Sequence, residues 1–180
     1  GKIQFVFSGK AHPRDEGGKE LIRKIIEAAK KLEDDIPVVF IEDYSMATGA
    51  AMTSGVDVWM NNPVRPMEAS GTSGMKAVMN GVPNCSIMDG WWPEACEHGI
   101  NGWAVGGSDD ERNDERDNRN LLDSIEHEIL PIWQEGGLRW AAISRAAIKT
   151  GARFTAARMI EDYQRIYESF TPVAVHRDQE

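Results

Sequence analysis

Short apolar runs, each closed by a polar or glycine-rich turn, alternate with stretches whose apolar residues recur at helical spacing. Ile3-Gln4-Phe5-Val6-Phe7 is the first such run, closed by Ser8-Gly9, and predicts a buried strand. After a polar loop over 10–18, residues 19–33 carry Leu21, Ile22, Ile25, Ile26, Ala29 and Leu32 on one stripe, which predicts a helix. Pro37-Val38-Val39-Phe40-Ile41 predicts a second buried strand, closed by Glu42-Asp43-Tyr44. A small-residue helix over 46–54 leads to a third strand, Val56-Asp57-Val58-Trp59-Met60, which ends at Asn61-Asn62-Pro63. A helix over 74–80 stops at Gly81, a residue suited to a helix C-terminus. Cys85-Ser86-Ile87-Met88 is the fourth strand, ending at Asp89-Gly90, and Gly102-Trp103-Ala104-Val105-Gly106 the fifth.

Strands alternating with helices predict an α/β fold: a Rossmann-like parallel sheet with helices on both faces. In such sheets ligands sit outside the carboxyl ends of the strands. The loops Ser8-Gly9-Lys10, Glu42-Asp43-Tyr44, Asn61-Asn62 and Asp89-Gly90 are therefore expected to share one edge and line one cleft. Residues 108–120 are nearly all charged or amide and read as a solvated loop or frayed helix start. From Leu121 onward the pattern is helical. Leu122, Ile125, Ile129 and Ile132 form one stripe, and Pro131 is expected to end or kink that helix. Further helices are predicted over 138–150 and 155–170, the last with Ala156, Met159, Ile160, Tyr163 and Ile166 on its inner face. The chain thus divides into an α/β part at 1–107, a charged loop at 108–120, C-terminal helices at 121–171 and a tail at 172–180.

The composition narrows the partners. A net charge of −9 over 180 residues leaves no general basic face for nucleic acid. No apolar run is long enough to span a membrane. Cys85 and Cys96 are too few for a disulfide framework and wrongly spaced for zinc, which points to a reduced, cytoplasmic setting and no metal. The chain opens at Gly1 and enters a strand at once, as a fragment or a processed chain would.

The segment with the most chemistry is Glu68-Ala69-Ser70-Gly71-Thr72-Ser73-Gly74-Met75-Lys76. It is a glycine- and hydroxyl-rich loop running into a helix N-terminus, where free backbone N–H groups and the helix dipole suit an anion such as phosphate. It has neither the Walker A order nor GxGxxG. Glu68 at its entrance can accept hydrogen bonds from hydroxyls. Lys76, about a turn into the helix among Met75, Ala77, Val78 and Met79, is expected to be partly desolvated, which lowers an amine pKa and favours Schiff-base formation. An ordinary capped helix with a solvent-facing lysine fits the same pattern.

That segment, followed by Ala77-Val78-Met79-Asn80-Gly81, resembles the cofactor signature of the α-glucan (glycogen, starch, maltodextrin) phosphorylases, in their C-terminal part. In the same order, Phe7-Ser8-Gly9-Lys10-Ala11-His12-Pro13, Phe40-Ile41-Glu42-Asp43-Tyr44, Val56 through Pro63, Asp89-Gly90-Trp91-Trp92, Asn101-Gly102-Trp103-Ala104 and Ala152 through Met159 also resemble the family. The Trp-Trp pair after Asp89-Gly90 is similar to the shorter bacterial and archaeal type. The resemblance covers about residues 3–170.

It implies part of the C-terminal domain of a GT-B fold, two Rossmann-like domains facing across a cleft, ending in a helical segment. It implies pyridoxal 5′-phosphate held by Lys76, with Thr72, Ser73 and Tyr44 on the cofactor phosphate. It implies Glu68 on the transferred glucose, with the N–H groups of Ala69, Ser70 and Gly71 on the same sugar. The implied partners are α-1,4-glucan, phosphate, glucose 1-phosphate and the family's N-terminal part. The implied reaction is reversible, configuration-retaining phosphorolysis of α-1,4-glucan to glucose 1-phosphate. The family's phosphate-gripping basic residues lie upstream of the matched region, so the chain alone is expected to be inactive. Ser45 stands where animal-type members have arginine, and Gly74 where many have asparagine.

Two other readings compete. A nucleotide-sugar glycosyltransferase domain shares the fold, but that class has a glutamate where Lys76 stands. A non-catalytic glucan-binding module is the third. Elsewhere, Lys10 and His12 are read as loop residues, Asn61 and Asn62 as turn residues, and Asp89 as the cap of a strand end. Trp91, Trp92 and Trp103 are read as packing residues, Arg153 and Arg158 as surface-binding. His98, His127 and His176 have no metal-ligand spacing. An exposed apolar face, and self-association through it, is expected where the N-terminal part would pack.

Overall fold

A computed structural model of the chain describes residues 3–107 and 112–170. It separates into two compact units that divide between Met52 and Thr53. The tail expected at 172–180, most of the acidic start of the 108–120 stretch, and His176 lie outside the described residues.

In the first unit β1 (Phe5–Ser8) pairs in parallel with β2 (Val38–Ile41), in the register Phe5 to Val38 through Ser8 to Ile41. The crossover is α1 (Glu16–Lys31). Asp15 caps it by accepting a hydrogen bond from the Gly18 N–H at 2.9 Å. Glu16 in the first turn and Lys30 and Lys31 in the last complement the helix dipole. The strands were expected to be buried, yet none of their residues is, and Phe7, Val39 and Ile41 are exposed. Two strands with one crossover helix cannot cover both faces. The same shortage leaves Leu21 and Leu32 of the α1 stripe exposed while Ile22, Ile25, Ile26 and Ala29 are half-buried. At the carboxyl ends of both strands, Lys10 Nζ meets Asp43 Oδ1 at 2.7 Å, and the Ser8 hydroxyl donates to the Ile41 carbonyl at 2.8 Å. Helix α2 (Met46–Gly55) follows.

The second unit holds β3 (Trp59–Asn61), β4 (Asn84–Ile87) and β5 (Gly102–Val105), all parallel in the order β3-β4-β5. Every residue of central β4 is buried, as a strand covered on both faces requires. Helix α3 (Thr72–Met79) joins β3 to β4 and ends at Gly81 with φ +80°, the expected stop. A short helix absent from the sequence prediction, α4 (Trp92–Ala95), joins β4 to β5. Val78 of α3, Trp91, Trp92 and Ala95 pack with Ala147 as one core, with Met75, Met88, Cys96 and Phe154 against it. Trp91 meets Trp92 at 5.2 Å between ring centres and Phe154 edge-on at 4.9 Å. The α/β architecture with parallel strands and a helical end is therefore as predicted, distributed over two sheets.

The C-terminal helices begin earlier than the apolar pattern does. Helix α5 (Asp114–Asp123) starts where Asn113 Oδ1 accepts from the Arg116 N–H at 2.9 Å. It passes into a π-helical turn, Ser124–Ile129, and then α6 (Leu130–Glu135). Pro131 lies in the first turn of α6, so its missing N–H is absorbed where the helix changes register rather than where it stops. The stripe also changes: Ile125, Ile129 and Ile132 are buried, but Leu122 is exposed. Helix α7 (Gly137–Gly151) packs on α3, with the Ser144 hydroxyl donating to the Gly81 carbonyl at 2.7 Å.

After a 3₁₀ turn (Ala152–Phe154), α8 (Ala156–Ser169) corrects the prediction of an inner face. No residue of α8 is buried, and its stripe is open, from 45% exposed at Met159 to 60% at Ile160. Its contact with the rest of the unit is local: the Arg158 guanidinium lies over the Phe154 ring at 5.9 Å.

Candidate functional site

The parallel order of β3, β4 and β5 puts the segment after β3 and the turn after β4 on one edge of the three-stranded sheet. The first carries residues 62–71 and runs into α3; the second is 88–91. They are joined directly. Asp89 Oδ2 accepts from the Glu68 backbone N–H at 2.9 Å, and Asp89 Oδ1 accepts from the Gly90 N–H at 2.8 Å. The Trp91 N–H donates to the Ser70 carbonyl at 2.8 Å. Two peptide planes of the loop are thereby fixed, one before Glu68 and one after Ser70.

Glycines allow the close approach. Gly71 precedes α3 in the left-handed region at φ +90°, with the Trp91 ring 3.1 Å from where its Cβ would stand. Gly90 has φ +58°, and a Cβ there would lie 2.5 Å from the Ser70 carbonyl oxygen and 2.9 Å from Glu68 Cγ. Gly90→Ala is thus expected to destabilise the folded chain by about 1–3 kcal/mol, the usual cost of a strained backbone residue. It should also displace Glu68 and Ser70. Urea unfolding checks the first and amide chemical shifts the second; an unchanged midpoint would contradict the packing described.

Gly74 is explained by a neighbour. A Cβ at that position would stand 2.5 Å from Asn84 Oδ1 and 3.0 Å from Trp91 Nε1, while Asn84 Nδ2 donates to the Gly74 carbonyl at 3.1 Å. Asn84 is buried on central β4, so any side chain at position 74 would collide with the amide that the strand already supplies there.

Among the described residues, no hydrogen bond occupies the backbone N–H of Ala69, Ser70, Gly71, Thr72 or Ser73. Five consecutive donors lie at the mouth of α3, whose dipole adds partial positive charge. Glu68, Ser70 and Gly71 are half-buried; Ala69, Thr72 and Ser73 are exposed. Lys76 follows one turn on. It is exposed, which corrects the expected desolvation: the buried face of α3 is Gly74, Ala77 and Val78, and helical spacing turns Lys76 off it. Tyr44 belongs to the first unit, on the loop after β2, where a Cβ on Gly49 would run into its hydroxyl.

The remaining candidates settle into the frame. Trp91, Trp92 and Trp103 are buried packing residues. His12 Nδ1 accepts from the Arg14 N–H at 3.2 Å, a bond within its loop. Arg153 donates to the Glu94 carbonyl at 3.4 Å and Arg158 pairs with Asp162 at 3.1 Å, both holding helix surfaces. His98 has a carboxylate partner that sequence spacing did not reveal, Glu128, at 2.8 Å. Burial pushes the thiols of Cys85 and Cys96 up to about 12, so neither is a nucleophile at neutral pH. Sequence reasoning left Asn84 unassigned and read Asp89 only as a strand-end cap, missing its clamp on the Glu68 amide. The signal for the clamp was Asp-Gly at a strand end facing a glycine-rich loop.

Comparison with known proteins bears on the same residues. The sequence model of the carbohydrate phosphorylase family matches residues 2–118. The maltodextrin phosphorylase of Thermococcus litoralis is 45% identical over 166 residues, covering 89% of this chain and 20% of that protein. The glycogen phosphorylase of Aquifex aeolicus is 42% identical over 168 residues, covering 89% of this chain and 24% of that protein. The glycogen phosphorylase of Mycobacterium tuberculosis is 38% identical over 182 residues, covering 96% of this chain and 21% of that protein. The chain thus spans about a fifth to a quarter of the length of the curated relatives it matches.

Proposed function

The chain belongs to the carbohydrate phosphorylase family, and from that premise we propose that it is the cofactor-carrying segment of an α-glucan phosphorylase. The reaction is reversible phosphorolysis: an α-1,4-glucan and phosphate give a shortened glucan and glucose 1-phosphate, with retention at the anomeric carbon. The cofactor is pyridoxal 5′-phosphate. The observation that carries the reading is the run of unoccupied N–H donors from Ala69 to Ser73, one turn before an exposed lysine. That donor set fits a phosphate on the helix side and sugar oxygens on the loop side.

The residues divide the work. Thr72 and Ser73 would donate their N–H groups to the cofactor phosphate, and Lys76 would hold the cofactor covalently through its amine. When bound, the cofactor supplies that phosphate as a proton donor and acceptor for substrate phosphate. Glu68 accepts hydrogen bonds from hydroxyls of the transferred glucosyl unit. The N–H groups of Ala69, Ser70 and Gly71 donate to oxygens of the same sugar and orient its anomeric carbon. Fixed donors need no reorganisation as charge develops, which is why their placement counts in the transition state. Lys76 speaks against a nucleotide-sugar donor, and two free cysteines agree with a cytoplasmic setting.

The test is a pair of titrations on the purified chain. Pyridoxal phosphate is expected to saturate at one per chain, with ADP-glucose and UDP-glucose giving no binding. Nucleotide-sugar binding without cofactor uptake would favour the glycosyltransferase reading instead. The chain alone is expected to release no glucose 1-phosphate from maltoheptaose, because the residues with which the family grips phosphate lie upstream of the matched region; detectable release would overturn that part.

A further inference from the structure

We propose that Asp89 is a positioning residue for the sugar-binding end of the loop, and that it leaves the cofactor end to other contacts. The proposal rests on the phosphorylase reading above for what the two ends bind, but its geometry stands by itself. Each carboxylate oxygen of Asp89 holds one backbone N–H: Oδ2 that of Glu68 at 2.9 Å, Oδ1 that of Gly90 at 2.8 Å. The second bond shapes the turn so that the Trp91 N–H reaches the Ser70 carbonyl at 2.8 Å. The first fixes the peptide from which the Glu68 side chain departs. Glu68 through Ser70 is therefore templated by the β4 turn, which is anchored in turn by the buried Trp91 and Trp92.

The cofactor end is held differently. Asn84 Nδ2 donates to the Gly74 carbonyl at 3.1 Å, and Ala77 and Val78 bury the helix behind it. None of these contacts involves Asp89. Asp89 itself contacts only the sugar-binding half, while the Trp91 ring lies against Gly71 and Gly74 in the other, so a lesion at Asp89 that leaves Trp91 seated should dissociate the two halves.

Asparagine is the informative substitution, because it keeps the shape of aspartate but offers one acceptor oxygen where two N–H groups need one each. An amide N–H₂ would face a backbone donor. Amide exchange, followed by NMR on the full chain, is expected to accelerate about tenfold or more at both Glu68 and Gly90 in Asp89→Ala, and at one of the two in Asp89→Asn. Exchange at Cys85 and Trp103 on the neighbouring strands should stay unchanged. Borohydride-locked pyridoxal phosphate on Lys76 is expected at the wild-type level in both variants.

A side chain needed only for its bulk would be rescued by asparagine, so unchanged exchange at both Glu68 and Gly90 in Asp89→Asn, or an unchanged Glu68 rate in Asp89→Ala, overturns the proposal. Loss of Lys76 labelling together with Glu68 protection overturns it as well, because the loop would then be one unit. If the wild-type chain itself fails to label at Lys76, the cofactor reading falls, and the exchange rates still decide the role of Asp89.

Discussion

Lys76→Ala is expected to abolish retention of pyridoxal phosphate through dialysis, without unfolding the chain. Lys76 is exposed on α3 and contributes nothing to the Gly74, Ala77 and Val78 face that packs the helix down. Alanine has the best intrinsic helix propensity, so the fold tolerates the change. What is lost is the covalent anchor. The interactions left are those of an anion with a helix N-terminus, worth about 0.3–2 kcal/mol. Even a millimolar dissociation constant needs about 4 kcal/mol. A cofactor held by the loop donors alone would wash out. Absorbance after dialysis of wild type and variant, side by side, reads the result. Equal retention by the variant would mean that the cofactor binds elsewhere or through another amine.

Trp92→Ala is expected to remove about 3–5 kcal/mol of stability, a large share of the whole for a domain of ordinary stability. Trp92 is fully buried at the start of α4, and its indole N–H donates to the Trp103 carbonyl of β5 at 3.2 Å. A Cβ on Gly102 would meet its ring at 2.7 Å, so the ring rests on the β5 backbone itself. Truncation leaves a cavity between the strand and the core of Val78, Ala95 and Ala147. It also unseats Trp91, whose N–H holds the Ser70 carbonyl. Urea unfolding followed by far-ultraviolet circular dichroism measures the loss; a change under about 1 kcal/mol would contradict the packing role of the Trp pair.

The second unit was legible because its signals are local and redundant. β4 is buried at every residue, Asn84 and Ser86 included, and its Cys85-Ser86-Ile87 stretch stands out between the turns at Gly81 and Asp89-Gly90, while Gly81 marks the end of α3 by its positive φ. The loop Glu68 to Lys76 announced itself by glycines and hydroxyls that only a turn into a helix explains. The Trp pair read correctly as packing, because buried indoles with partners are the commoner fate of such residues.

What the sequence hid is non-local. A stripe does not say what lies opposite it, so α8 and Leu122 were assigned an inner face that is open among the described residues. Two apolar strands read as buried, although a two-stranded sheet with one crossover helix cannot bury them. Lys76 was expected to be desolvated from the residues beside it in sequence, yet on a helix the residues that matter are three and four away. Asp89 was read as a cap for its own strand end. Its partner is the Glu68 amide, 21 residues earlier, and only the return of the chain to the same sheet edge brings the two together.

The proposed function requires that the loop from Glu68 to Lys76 be formed in this chain, with the Lys76 amine open to solvent for pyridoxal phosphate. The most direct measurement is to incubate the wild-type chain with pyridoxal 5′-phosphate, reduce with borohydride, digest, and locate the modified lysine by mass spectrometry. One label per chain, on Lys76, is the predicted result. Label scattered over the other lysines, or none, would contradict it.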